Sequence, residues 1–201
     1  MTEKKPDTAA LTALLVQAAT PALNKKEEKT RQEKIKEATL KMRAHLWHGI
    51  TDKDLWIRDD KTRKGFTTIP RTMPLFMNII QDVSKHVTKG KSIPAGKAYL
   101  TLWGRVYDEG VVRIDQEAAA AYEAGYSGER NVTTWREHLR VLKDLGFIDF
   151  KPGTAGPAQW ILIYNPYAVV KKLRQKKWVQ EEAYTALLQR AMEIGATDLD
   201  D

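Results

Sequence analysis

Between Val111 and Asn165 the spacing of apolar residues changes period repeatedly, and each change marks a predicted element. Val111, Val112 and Ile114 are β-branched around a single charge, Arg113, which predicts a short strand. Asp115 follows at the expected N-cap of a helix: its carboxylate can accept from the free amides of the next turn, Glu117 suits the positive helix end, and Ala118, Ala119 and Ala120 are strong helix formers. Gly125 is the expected stop. After a polar turn through Ser127, Gly128 and Glu129, apolar residues return at Val132, Trp135, Leu139, Leu142 and Leu145. Steps of three and four place them on one stripe of a second helix, which Gly146 ends. Phe147 to Phe150 then reads as a strand, Pro152 to Pro157 as turn chemistry, and Trp160 to Tyr164 as an apolar strand, so the stretch closes with a β-hairpin.

The flanking chain is more helical. Residues 1–24 read as a tail, and 25–50 as a charged helix in which Lys and Arg outnumber Asp and Glu eight to four between Lys25 and Arg43. Its apolar positions are sparse before Ile35, so the first half is expected to be solvated. Residues 51–92 divide into an extended hairpin and a helix. The hairpin pairs Leu55-Trp56-Ile57 with Phe66 to Ile69 across a basic loop of Lys61, Arg63 and Lys64; the helix, from Pro70 to Val87, buries Leu75, Phe76, Ile79, Ile80, Val83 and Val87. A further helix, Ala95 to Asp108, buries Tyr99, Leu100, Leu102, Trp103 and Val106. Pro166 opens a C-terminal helical extension over 166–201, with a basic run from Lys171 to Lys177 and then Trp178, Val179, Tyr184, Leu187, Leu188 and Met192.

Helix, strand, helix, turn, helix, hairpin over 93–165 is the order of a winged helix-turn-helix. The segment Thr134 to Ile148, TWREHLRVLKDLGFI, resembles the recognition helix and first wing strand of bacterial winged-helix regulators. The fold class expected is therefore α+β and mainly helical, a winged helix-turn-helix with long helical extensions at both ends. More residues separate Gly125 from Trp135 than in the usual compact turn, so either the turn is longer or the helix begins near Ser127. The phrases Gly65 to Thr72 and Asp108 to Val112 are also faintly similar to small proteins carried on plasmids and other mobile elements, which makes plasmid replication, copy control or partition the alternative role. A non-enzymatic protein-interaction adaptor is the third.

The chain has 201 residues, 42% of them hydrophobic, and no run approaches the roughly 18 apolar residues of a membrane helix. It has no cysteine, which suits a cytoplasmic location and excludes thiolate metal sites and disulfides. Thirty-three Lys and Arg against 26 Asp and Glu give a net charge of +7, complementary to a phosphate backbone. His45 and His48 share a spacing of three, but no third ligand completes a zinc site; His86 and His138 read as ordinary surface or packing residues. No phosphate-binding glycine loop, nucleophile elbow or dinucleotide fingerprint is present, so neither an enzyme nor a cofactor is expected.

The resemblance implies double-stranded DNA as partner, and the helix wheel assigns the residues. With Val132, Trp135, Leu139 and Leu142 inward, about 100° per residue turns Arg130, Thr133, Thr134, Glu137, Arg140 and Val141 outward. Arg suits guanine edges, Thr a thymine methyl or a phosphate, and Glu137 the cytosine amine. Asn131 stands at the start of the same helix, Arg136 and Lys143 on its flank toward phosphates, and Lys151 and Thr154 on the wing. Trp135 and Trp160 are expected in the core. Tyr184, Leu187, Leu188 and Met192 beside Trp178 exceed what a solitary tail leaves in water, which predicts a homodimer through the terminal helices, or else a helix folded back over Pro70 to Val87.

Overall fold

The computed structural model describes residues 25–49, 51, 55, 65–106 and 110–199. The tail 1–24, Trp56 and Ile57 of the expected hairpin, and its basic loop of Lys61, Arg63 and Lys64 lie outside them. Among the described residues the chain is α+β and mainly helical, with seven helices and one three-stranded antiparallel sheet. No helix among them is long and apolar enough to cross a membrane.

The first helix, α1 (Lys25–Leu46), follows the charge pattern. Ile35, Ala38 and Met42 are half-buried and lie on one side at steps of three and four, whereas Leu40, Leu46 and Trp47 are exposed. Lys41 and Glu37 form an i,i+4 ion pair at 2.7 Å, the kind of contact that supports a solvated helix.

The body begins with chain from Gly65 to Pro70 that forms no strand, so the second arm of the expected hairpin is irregular. Helix α2 (Met73–Ser84) carries Pro74 in its first turn, where the missing N–H costs nothing. Its N-cap residue Thr72 makes no side-chain cap, because its buried hydroxyl is bound to the Tyr167 hydroxyl at 2.7 Å. Helix α3 (Gly96–Arg105) packs against α2 so closely that a Cβ on Gly96 would meet the Met77 Cβ at 2.7 Å and its Cα at 3.0 Å. Strand β1 (Val111–Arg113), α4 (Glu117–Glu123) and α5 (Asn131–Leu145) follow, then β2 (Ile148–Gly153) and β3 (Gly156–Ile163).

The sheet order is β1-β3-β2, with the last strand in the centre. Val112 and Phe150 both face Ile161, and Ile148 faces Ile163. The ladder slips between Lys151 and Gly153, where Pro152 has no amide to donate. Helices α2, α3 and α4 all pack on α5, and α5 packs on β2, so Trp135, Leu139 and Leu142 meet Tyr99, Phe76, Ile79, Ile80 and Phe147 in one fully buried core. Burying each such side chain contributes about 1.5–3 kcal/mol.

Helix α6 (Pro166–Gln175) is capped by the Asn165 side chain and folds back on α2: the Phe76 and Tyr167 rings meet edge to face at 4.9 Å, and past the helix Trp178 stacks on His86 at 4.8 Å. Helix α7 (Glu181–Ile194) buries Tyr184 and Leu187 within the single chain. The apolar excess that argued for a dimer seam is thus largely internal, leaving Met192 exposed.

Candidate nucleic-acid interface

Helix α5 begins at Asn131, so of the two expected starts the longer turn is the one observed: seven residues, Ala124 to Arg130, separate it from α4. The turn is held at both ends. Gly125 adopts φ +82°, a left-handed conformation that suits glycine, and the Tyr126 amide donates to the Ala121 carbonyl at 2.9 Å. The Tyr126 hydroxyl then meets the buried His138 Nδ1 at 2.6 Å. Burial disfavours the charged imidazolium and lowers the His138 pKa despite neighbouring Glu137, while burial pushes Tyr126 up to about 12. His138 is a packing residue. Gly146, at φ +88°, closes the helix as expected, with the Phe147 amide returning to the Leu142 carbonyl.

Arg130, Thr133, Glu137 and Arg140 are exposed and fall on one side of α5 at steps of three and four. Among the described residues neither arginine has an ion-pair partner. Val141, expected on this side, is only 4% exposed, and Thr134 is half-buried. The buried arc is wider than a four-residue stripe because three helices and a strand pack on α5, and it takes in both flanks. Asn131 is half-buried with its Oδ1 accepting from the Val132 amide at 2.6 Å, and Val132 is half-buried rather than core.

The flanking cations are engaged within the fold. Arg136 donates through Nε and Nη2 to the buried Glu117 carboxylate at the start of α4. Lys143 sits 2.7 Å from Asp149 and 4.5 Å from the centre of the Phe150 ring. The same carboxylate lies 3.3 Å from Lys151, and hydrogen bonding from Lys143, more than from Lys151, holds Asp149 down at about 2. Thr154 is exposed in the two-residue β2–β3 turn.

One residue not singled out in the sequence, Gln159, aims this hairpin. Gln159 is buried on β3; its amide donates to Asp115 Oδ1 at 2.8 Å and its Oε1 accepts from the Ala155 amide at 3.3 Å. Asp115 therefore does not cap α4. The N-cap position belongs to Gln116, without a side-chain cap, and Asp115 accepts from Gln159 and from Arg113 Nε, both of which lower its pKa. A polar residue at an inward position of an apolar strand was the available signal. Trp160 overturns its core assignment: it is 43% exposed on the outer side of the sheet. Among the described residues, no three His, Asp or Glu side chains gather as a metal site. Comparison with protein-family models, curated proteins and solved structures finds no match for this chain.

Proposed function

We propose that residues 93–165 form a winged helix-turn-helix that binds double-stranded DNA sequence-specifically, as a bacterial transcriptional regulator does. The observation that carries this reading is the polar stripe Arg130, Thr133, Glu137 and Arg140 on α5, beside a hairpin whose turn is anchored to the same body. An α-helix fits the major groove, where Arg recognises guanine O6 and N7, Glu accepts from cytosine N4 and the Thr methyl meets thymine. The arginines lack carboxylate partners among the described residues, so binding a base edge breaks no ion pair. Arg136, committed to Glu117, holds the two helices in register instead of meeting phosphate. Lys143 and Lys151 share one carboxylate and together keep a positive charge for the backbone.

The element order, the antiparallel order β1-β3-β2 and the net charge of +7 support the same reading. A gel shift against random duplex at several salt concentrations, followed by selection from a random oligonucleotide pool, tests it. The expected result is salt-dependent binding with an enriched motif. Absence of binding at low salt removes the proposal and leaves a protein-binding adaptor.

A further inference from the structure

The outer side of the sheet carries aromatic and aliphatic surface that the α5 stripe does not use. Trp160 and Leu162 on β3 and Tyr164 just past it alternate along one side, all exposed, with Val111 beside Leu162. The register places Arg113 across from Trp160 on one side and Lys151 on the other. Paired residues lie roughly 4.5–5.5 Å apart at their Cα atoms, so the indole is bracketed by two cations. The Arg113 guanidinium lies over the indole, 5.4 Å from the ring centroid and within the roughly 6 Å of a cation–π contact, so a base that stacks on Trp160 takes the ring's other face.

The charges around this row are not cancelled. Arg113 is paired with Asp115 at 2.8 Å, Lys151 with Asp149 at 3.3 Å, and Asp149 also with Lys143. Three cations share two carboxylates, and one of those carboxylates is further engaged by Gln159.

We infer that this surface is a second nucleic-acid site, specific for single strands: an unstacked base lies on Trp160, and its flanking phosphates meet Arg113 and Lys151. In a duplex the base faces are covered by their neighbours, and an indole standing out of a sheet reaches only an unstacked base. Aromatic side chains on a basic surface are how sequence-tolerant single-strand sites are built. An apolar protein partner fits less well, since it would strip water from both cations without supplying a counter-charge. The row starts five residues from the hairpin turn, about 16 Å along the strand, and it does not depend on the duplex reading of α5.

Fluorescence anisotropy of the full chain with a short fluorescein-labelled oligothymidylate at low salt tests the site, with random duplex measured in parallel. The parent should bind the oligonucleotide. Trp160→Leu should weaken that binding by roughly tenfold, the loss of one stacked base, while duplex binding is unchanged. Arg113→Gln should weaken it less and flatten its salt dependence. Thermal unfolding accompanies each variant; where Trp160→Leu melts early, Trp160→Tyr against Trp160→Thr repeats the comparison. Equal binding by the folded variants, no oligonucleotide binding by the parent, or self-association lost with Trp160 would each overturn the site. Arg140→Ala, expected to weaken binding to the selected duplex and keep oligonucleotide binding, separates this result from the fate of the α5 reading.

Discussion

The Glu117 carboxylate, on the first residue of α4, holds the Arg136 guanidinium on α5 through Nε at 3.0 and 3.2 Å and through Nη2. It is a polar clasp between α4 and α5, and it is asymmetric: the Glu117 side chain is 8% exposed and that of Arg136 43%. Removing Arg136 strands a buried carboxylate, whereas removing both partners does not. Arg136→Ala should therefore destabilise the protein by about 1–2 kcal/mol, below the value for a fully buried pair because solvent reaches the guanidinium. Glu117→Gln with Arg136→Ala should recover part of that loss, read from urea midpoints; a double variant no better than the single one rejects the clasp.

Gly96 gives a test of the α2–α3 packing. Alanine is favoured over glycine in a helix by about 1 kcal/mol, so on helix propensity alone Gly96→Ala should stabilise. The added methyl would sit 2.7 Å from the Met77 Cβ and 3.0 Å from its Cα, and backbone there cannot swing aside. The expected net result is a loss of roughly 1–3 kcal/mol by thermal unfolding. A rise in melting temperature would mean that the helices part without cost.

Two residues should separate base reading from backbone contact if α5 enters the groove. Arg140→Ala is expected to cost ~1–3 kcal/mol on the selected site and less on random duplex. Lys151→Ala should leave the selected motif intact and reduce the salt slope by about one unit. Equal losses on every sequence for Arg140→Ala remove the base-reading role; an unchanged slope for Lys151→Ala places the hairpin away from DNA.

Acid should destabilise the protein in two windows, by linkage. Burial holds His138 below its ordinary 6.5, so the unfolded chain takes up a proton first; the stability from the neutral ring is present above 6.5 and is lost as pH falls from there through the folded value. Asp149 is held at about 2 against an ordinary 3.8, so its contribution is present above 3.8 and is lost as pH falls from 3.8 toward 2. Melting temperatures of the parent should drop in both windows. His138→Gln should flatten only the upper one, and Asp149→Asn only the lower.

The fold-back of α6 makes a further prediction about assembly. Leu173 is buried, and Leu173→Ala should cost about 2–5 kcal/mol. Tyr167→Phe leaves the buried Thr72 hydroxyl without its partner and should cost about 1–3 kcal/mol. With Tyr184 and Leu187 already covered, light scattering of the full chain should give the mass of one copy, 22.9 kDa. A mass of two copies would restore the dimer seam at the terminal helices.

What local chemistry dictates was legible in the sequence. The α5 period, the stop at Gly146, the first-turn Pro74 and the Pro- and Gly-bearing hairpin each depend on residues within a turn or two of one another, and each element lies within a few residues of its expected place. Asp115 failed as a cap because Gln159, 44 positions away, offers its carboxylate a hydrogen bond that only the β1–β3 pairing brings near. Val141 was misplaced because a helix wheel shows one stripe and cannot show how many neighbours cover the helix. For Trp160 the strand carries apolar residues at both parities, so periodicity left its side undecided; the register that turns Ile161 onto Val112 and Phe150 turns Trp160 out between Arg113 and Lys151. Arg136 reads as a phosphate ligand until folding brings Glu117 within reach, and Lys143 comes to share Asp149 with Lys151. The sequence by itself determined the helices α2 to α6 and the β2–β3 hairpin to within a few residues, because those energies are local; the tertiary structure decided which charges stay free for a partner, because that depends on contacts between residues distant along the chain.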